Sequence, residues 1–188
     1  MKYPSYQDIQ EVRRNLLDTT FDRWLHHDVL SWQWWLLLAA AILPWGIWGR
    51  LVDKERRVEV FAYAMLFGML AIILDVAGVN ALLWGYPTKL FPIVPPLFPA
   101  DVTLFPVVYS LLYQYGRTWS SYILYAALAS CICAFMIEPA CIWMGMYSND
   151  HFPHWKSCIG FLLVAVMTKA IIGSLRTEDR KAAAAESQ

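Results

Sequence analysis

Residues 64–84 read AMLFGMLAIILDVAGVNALLW, and residues 126–147 read AALASCICAFMIEPACIWMGMY. At about 1.5 Å per helical residue, either run spans the roughly 30 Å hydrocarbon core of a bilayer. Each carries an acid well inside it, Asp75 in the first and Glu138 in the second. A third acid, Asp101, opens another apolar run. An ionisable side chain at the centre of a bilayer costs about 2.5–3.5 kcal/mol on insertion scales. It therefore faces the bundle interior or a wet cavity, and marks a functional site by default.

Outward from these two stretches the chain keeps the same character. It has 188 residues, of which 59% are hydrophobic and only 16% charged, with a mean hydropathy of +0.41. That is too apolar for an ordinary soluble domain. A formal net charge of zero gives no electrostatic footprint for a nucleic-acid partner. Apolar runs at residues 32–49, 60–84, 97–115, 122–146 and 159–175 predict an all-α, polytopic membrane helix bundle with five transmembrane helices. A four-span reading competes, because the first run is short and contains Pro44 and the third begins among prolines. Trp32, Trp34, Trp35, Trp45 and Trp48 give the first run an aromatic belt at each end.

Residues 1–29 have no signal-peptide pattern. Ile9, Val12, Leu16, Leu17, Phe21, Trp24 and Leu25 recur at helical steps between charged residues, predicting an amphipathic helix. Such a helix lies in the membrane interface or folds over the bundle mouth. The organisation expected is thus 1–29 as the amphipathic helix, 30–176 as the membrane domain and 177–188 as a disordered cytoplasmic tail.

Candidate chemistry concentrates on the acids. Asp75 and Glu138 lie at matching depths, each nine residues before an aromatic end residue (Trp84, Tyr147). They are expected to share a polar pocket with Asp101 at its rim, in which repulsion and desolvation keep a proton on at least one acid. Asn80, Trp84, Tyr109 and Lys169 are candidate binding residues. Lys169 either snorkels to the interface or pairs with an acid. The tripeptide Leu-Phe-Pro recurs at Leu90, Leu97 and Leu104, so residues 91–101 are expected to be extended or re-entrant, because each proline removes a donor and restricts its predecessor. Pro139 is expected to kink the helix beside Glu138. Tyr109, Tyr113, Tyr115, Tyr122 and Tyr125 suggest an interfacial belt. Cys131, Cys133, Cys141 and Cys158 read as small buried hydrophobes. His26, His27, His151 and His154 sit near Asp28 and Asp150 but lack a ligand spacing, so they are weak metal candidates. No cofactor is indicated, and no phosphate loop or hydrolase elbow is present.

The order Trp24-Leu25-His26-His27-Asp28, Ile42-Leu43-Pro44-Trp45, Leu74-Asp75, Leu83-Trp84-Gly85-Tyr86-Pro87, Pro106-Val107-Val108-Tyr109, Tyr113-Gln114-Tyr115, Glu138-Pro139 and Lys169 resembles a family of small multi-spanning membrane proteins of Gram-positive spore formers. The resemblance runs to about Leu175 and implies a five-span plasma-membrane protein, with no activity attached. Acids in aromatic-rich spans also resemble, without a shared motif, integral-membrane terpene and lycopene cyclases. Three function classes are consistent with these features. One is a binding or accessory envelope protein, another a small enzyme acting on a lipid or isoprenoid by acid catalysis, and the third a proton- or cation-coupled transporter. Membrane lipids and a second copy of the chain are the expected partners.

Lys and Arg set the orientation. Arg50, Lys54, Arg56, Arg57, Arg117, Arg176, Arg180 and Lys181 fall on one side, against Lys89 and Lys156 in the loops of the other. The positive-inside rule then puts the N-terminus outside and the C-terminus in the cytoplasm, although Lys2, Arg13, Arg14 and Arg23 add to the outer count. An impermeant thiol reagent applied to intact cells should accordingly fail to label an engineered Ser187→Cys. Ready labelling would invert the orientation.

Overall fold

The computed structural model describes residues 3–93, 97–149 and 151–186, with side chains placed as far as Thr177. These residues are helical throughout, apart from connecting turns and one isolated bridge between Gly85 and Ser148. Helix α1 spans Tyr6–Arg23 and passes into a π turn at Trp24–Asp28; α2 is Trp32–Leu51 and α3 is Arg57–Asn80. A second π turn, Ala100–Leu104, leads into α4, Phe105–Tyr115. Helix α5, Trp119–Ile132, continues through a third π turn, Cys133–Ile137, into α6, Glu138–Trp143; α7 is His154–Glu186.

Four segments are long and apolar enough to cross a membrane: Trp32–Leu51, Arg57–Asn80, Trp119–Trp143 and His154–Thr177. The run at 97–115 is not among them. Its helical elements, the π turn Ala100–Leu104 and the 11-residue α4, cover only residues 100–115. The backbone of α7 stays helical through Glu186, across most of the segment expected to be a disordered tail. Asp101 lies in a π turn, its N–H bonded to the Leu97 carbonyl, so the irregular stretch expected at 91–101 ends before this acid. Pro95 and Pro96 fall outside the described residues.

Polarity is arranged for an apolar surrounding. On α3, Val60, Tyr63, Ala64, Phe67, Gly68, Asp75 and Gly78 are buried, while Met65, Met69, Ile73, Leu74 and Val76 are exposed. The inward stripe steps by three and four residues over most of its length, and contains the polar groups of Tyr63 and Asp75. Hydrocarbon supplies no hydrogen bonds, so such groups are satisfied inside the bundle. Phe67 stacks on Tyr109 and Tyr63 on Tyr113, each pair with centroids 4.6 Å apart. The Tyr63 and Tyr122 hydroxyls bond each other, and Tyr122 donates to the Ala165 carbonyl at 2.8 Å. Tyr109 bonds Ser130 at 2.8 Å. Tyr109, Tyr113 and Tyr122 are therefore core residues rather than members of a belt; Tyr115 and Tyr125 are exposed. Of the cysteines only Cys133 is buried, and Cys131 faces outward.

Prolines leave carbonyls without their helical partners, and one of these shows how the bundle compensates. Pro44 has no N–H for the Ala40 carbonyl. Thr103 shares its hydroxyl proton between that carbonyl, at 2.9 Å, and the Pro99 carbonyl of its own turn, stapling the π turn of residues 100–104 to α2. Where Pro106 and Pro139 interrupt, the preceding turn widens instead: Phe105 N–H bonds to Ala100 O, and Glu138 N–H to Cys133 O. Thr103→Val leaves the Ala40 carbonyl unpaired in an apolar site and should cost about 1–3 kcal/mol. Unfolding of the detergent-solubilised protein tests this against Thr103→Ser, which keeps the hydroxyl; equal stability of the two variants would remove the staple.

Candidate functional site

At one end of the bundle the chain leaves α3, turns through Leu82 at φ 56°, and folds Trp84 and Tyr86 back over Asp75. Trp84 Nε1–H and Tyr86 O–H both donate to Asp75 Oδ1, each at 2.6 Å. Gly78 makes room for this return. A Cβ at that position would lie 2.0 Å from the Trp84 ring. Asp75 and Asp101 are both buried and their carboxyl groups lie against each other. Asp75 Oδ2 and Asp101 Oδ2 have no donor among the described residues. Gly68 permits the approach of the two elements, its Cβ position lying 3.1 Å from the Asp101 carbonyl oxygen.

Glu138 occupies a neighbouring cluster. Its Oε2 lies 2.7 Å from His154 Nδ1, an ion pair or a neutral hydrogen bond according to where the proton resides. Buried Ser157 neighbours both Glu138 and Tyr147. The Tyr147 ring approaches Tyr86 at 5.6 Å, and its phenol feels the charges of both Asp75 and Glu138. The three acids thus collect at one end, as an Asp75–Asp101 pair and a Glu138–His154 pair with two tyrosines between.

A clamp holds this end together. Trp24 and Trp34 both donate their indole N–H to the Leu90 carbonyl at 3.1 Å. Buried Asp28 accepts from the Lys89 amide at 3.1 Å. Gly85 and Ser148 exchange backbone bonds at 2.8 and 2.9 Å, and Thr88 donates to the Gly145 carbonyl.

The other sequence candidates separate from this site. Asn80 is exposed and donates to Val76 O of its own helix. Tyr109 belongs to the core. Lys169 is buried at the far end and pairs with no acid among the described residues: its Nζ donates to the Gly116 and Thr118 carbonyls at 2.9 and 3.2 Å and lies 4.2 Å from the Tyr122 ring centre. His26 bonds Asp22 on its own helix, His27 and His151 are exposed, and His154 belongs to Glu138. No group of three or more metal-ligand side chains occurs among the described residues, and Asp150 lies outside them. Sequence reasoning does not single out Tyr86, Tyr147 or Ser157. The return of Trp84-Gly85-Tyr86 onto an acid nine residues earlier is their only local signal.

Comparison with known proteins gives no matching family model, no similar curated protein and no similar solved structure.

Gly78→Ala should destabilise the protein by about 1–3 kcal/mol through overpacking, and by clearly less in a Trp84→Phe background, where the ring is smaller and its N–H bond to Asp75 is already gone. A double-mutant cycle in chemical unfolding measures that coupling; additive costs would show that Gly78 serves some other contact.

Proposed function

We propose that this chain is a five-span membrane protein with a binding or accessory role in the cell envelope. Its acidic end is a carboxyl pair that holds one exchangeable proton. The observation that carries the reading is that Asp75 and Asp101 are buried, neighbouring carboxyl groups, each with one oxygen that has no hydrogen-bond partner among the described residues. Two carboxyl groups in contact repel when both are ionised, and bond when a proton lies between them. Asp75 Oδ1 is already saturated by Trp84 and Tyr86, which leaves the other oxygen for Asp101.

The fifth crossing is supported by direction. Glu59 at the start of α3 meets Arg176 near the far end of α7, and Gly116 just before α5 meets Lys169. Helices α3 and α5 therefore begin at the same end, so residues 97–115 return the chain between them. The 16 residues 100–115 cover about 24 Å, and neighbours bury Pro106, Val107, Tyr109, Ser110, Tyr113 and Gln114. A short helix shielded in this way can cross where a lipid-exposed one would not. Helix α1 buries no residue, with Ile9, Val12, Leu16, Leu17 and Phe21 exposed. That supports a helix lying in the membrane interface, its entry into the bundle held by Trp24 and Asp28. Location in the plasma membrane with the N-terminus outside, and kinship with the spore-former family, rest on the loop charges and the motif order.

Infrared spectroscopy of the solubilised protein tests the site. Part of the protonated-carboxyl C=O band at neutral pH should vanish in Asp101→Asn, whose amide N–H can serve the free Asp75 oxygen without a shared proton. The same part should survive in Glu138→Gln. A band unchanged by Asp101→Asn, in a variant that still folds, would overturn the shared-proton site.

A further inference from the structure

The end of the bundle opposite the acids is built around positive charge. A cavity of 460 Å³ lies where the α2–α3 and α4–α5 turns meet α7, lined by Arg56, Arg117, Lys169 and Arg176 together with Tyr113 and Trp119. No acid is among the described lining residues. Glu59 stands behind two of the cations, 2.9 Å from Arg56 and 3.3 Å from Arg176, and accepts a 2.5 Å bond from Tyr113. Among the described residues that line or back the cavity, four cations are set against one carboxylate, an excess of three positive charges.

Lys169 is the least expected of the four. It is only 8% exposed, yet its partners are two carbonyl oxygens and the rings of Tyr122, Trp119 and Tyr113. None of these cancels its charge. Arg117 is exposed and makes no ion pair among the described residues. A buried ammonium that shares a cavity with Arg56 and Arg176 is repelled by them, and among the described residues no anion pairs with it. Guanidinium groups present planar forks that match phosphate oxygens, and an ammonium adds a point charge.

We propose that this cavity binds a phosphate group, carried by an anionic phospholipid or free in solution. The aromatic wall of Tyr113 and Trp119 and the interfacial position favour the lipid, since basic pockets between membrane helices hold acidic headgroups. The site stands apart from the acidic end and needs the membrane reading only for the lipid as source; the phosphate arm of the test stands without it.

The test uses the purified full chain in detergent, with native mass spectrometry and thermal shift against phosphatidylglycerol, phosphatidylcholine and inorganic phosphate. Phosphatidylglycerol should bind in preference to phosphatidylcholine and weaken as salt rises. Arg117→Gln, which disturbs no packing, and Lys169→Gln, which keeps a donor for the carbonyls, should each weaken binding about fivefold. Asp101→Asn should leave it unchanged. Phosphatidylglycerol retained against excess inorganic phosphate identifies the lipid, whereas protection by inorganic phosphate alone identifies a free anion. Absence of preference over phosphatidylcholine together with no phosphate effect overturns the site, as does binding by both Gln variants equal to that of the unsubstituted chain.

Discussion

Two hydrogen bonds to one carboxylate oxygen organise the acidic end of this bundle. Trp84 and Tyr86 reach Asp75 Oδ1 only because the chain reverses directly after α3. That reversal places residues 84–90 where Trp24, Trp34, Asp28 and Ser148 can take up their backbone groups. An irregular segment at the mouth of an apolar bundle carries many peptide groups that lipid cannot satisfy. Here indoles, a carboxylate and a two-residue bridge do so. Removing the acid would release the indole and phenol together, and with them the path of the segment that leads to Asp101.

The same constraint explains why π turns recur. Each of the three contains or directly precedes an acid: Asp28 ends the first, Asp101 lies in the second, and Glu138 comes directly after the third. A π turn widens the helix by one residue and rotates the next turn, and such bulges are frequent at functional sites. Two of them are forced by prolines, Pro106 and Pro139, which cannot donate to the turn before. Proline placement and acid placement are thus one feature of the chain, because the widened turn re-aims the carboxyl.

Much of this is legible from residue order alone. The spans around Asp75 and Glu138, the interior location of the acids and the disturbed helix near Pro139 follow from run length and from the cost of a charge in hydrocarbon. The third run is a shorter helix than hydropathy reads, because hydropathy does not register that the prolines before Asp101 delay its start. The tyrosines resist assignment because a phenol suits an interface and a core equally. The difference lies in whether a partner such as Ser130 or the Ala165 carbonyl is within reach, and that is a property of tertiary structure. Asn80 loses its place by helical phase, since it falls on the exposed face five residues beyond Asp75. Glu59 escapes notice because it sits at a span end, where a charge looks ordinary, although it organises Arg56, Arg176 and Tyr113.

The separation of the two ends bears on what the bundle can do. Sixteen residues of α3 part Glu59 from Asp75, about 24 Å of helix. Between them lies the layer of Tyr63, Phe67, Tyr109 and Tyr122, whose hydroxyls run out into backbone acceptors: Tyr63 and Tyr122 end on the Ala165 carbonyl, and Tyr109 ends through Ser130 on the Ala126 carbonyl. A carbonyl accepts a hydrogen bond but has no proton to pass on. The hydroxyl chain therefore stops in mid-bundle, and no side chain among the described residues relays it from the Asp75–Asp101 pair to Lys169. Each end is self-contained, the acids closed by indole, phenol and imidazole and the cations open to a cavity.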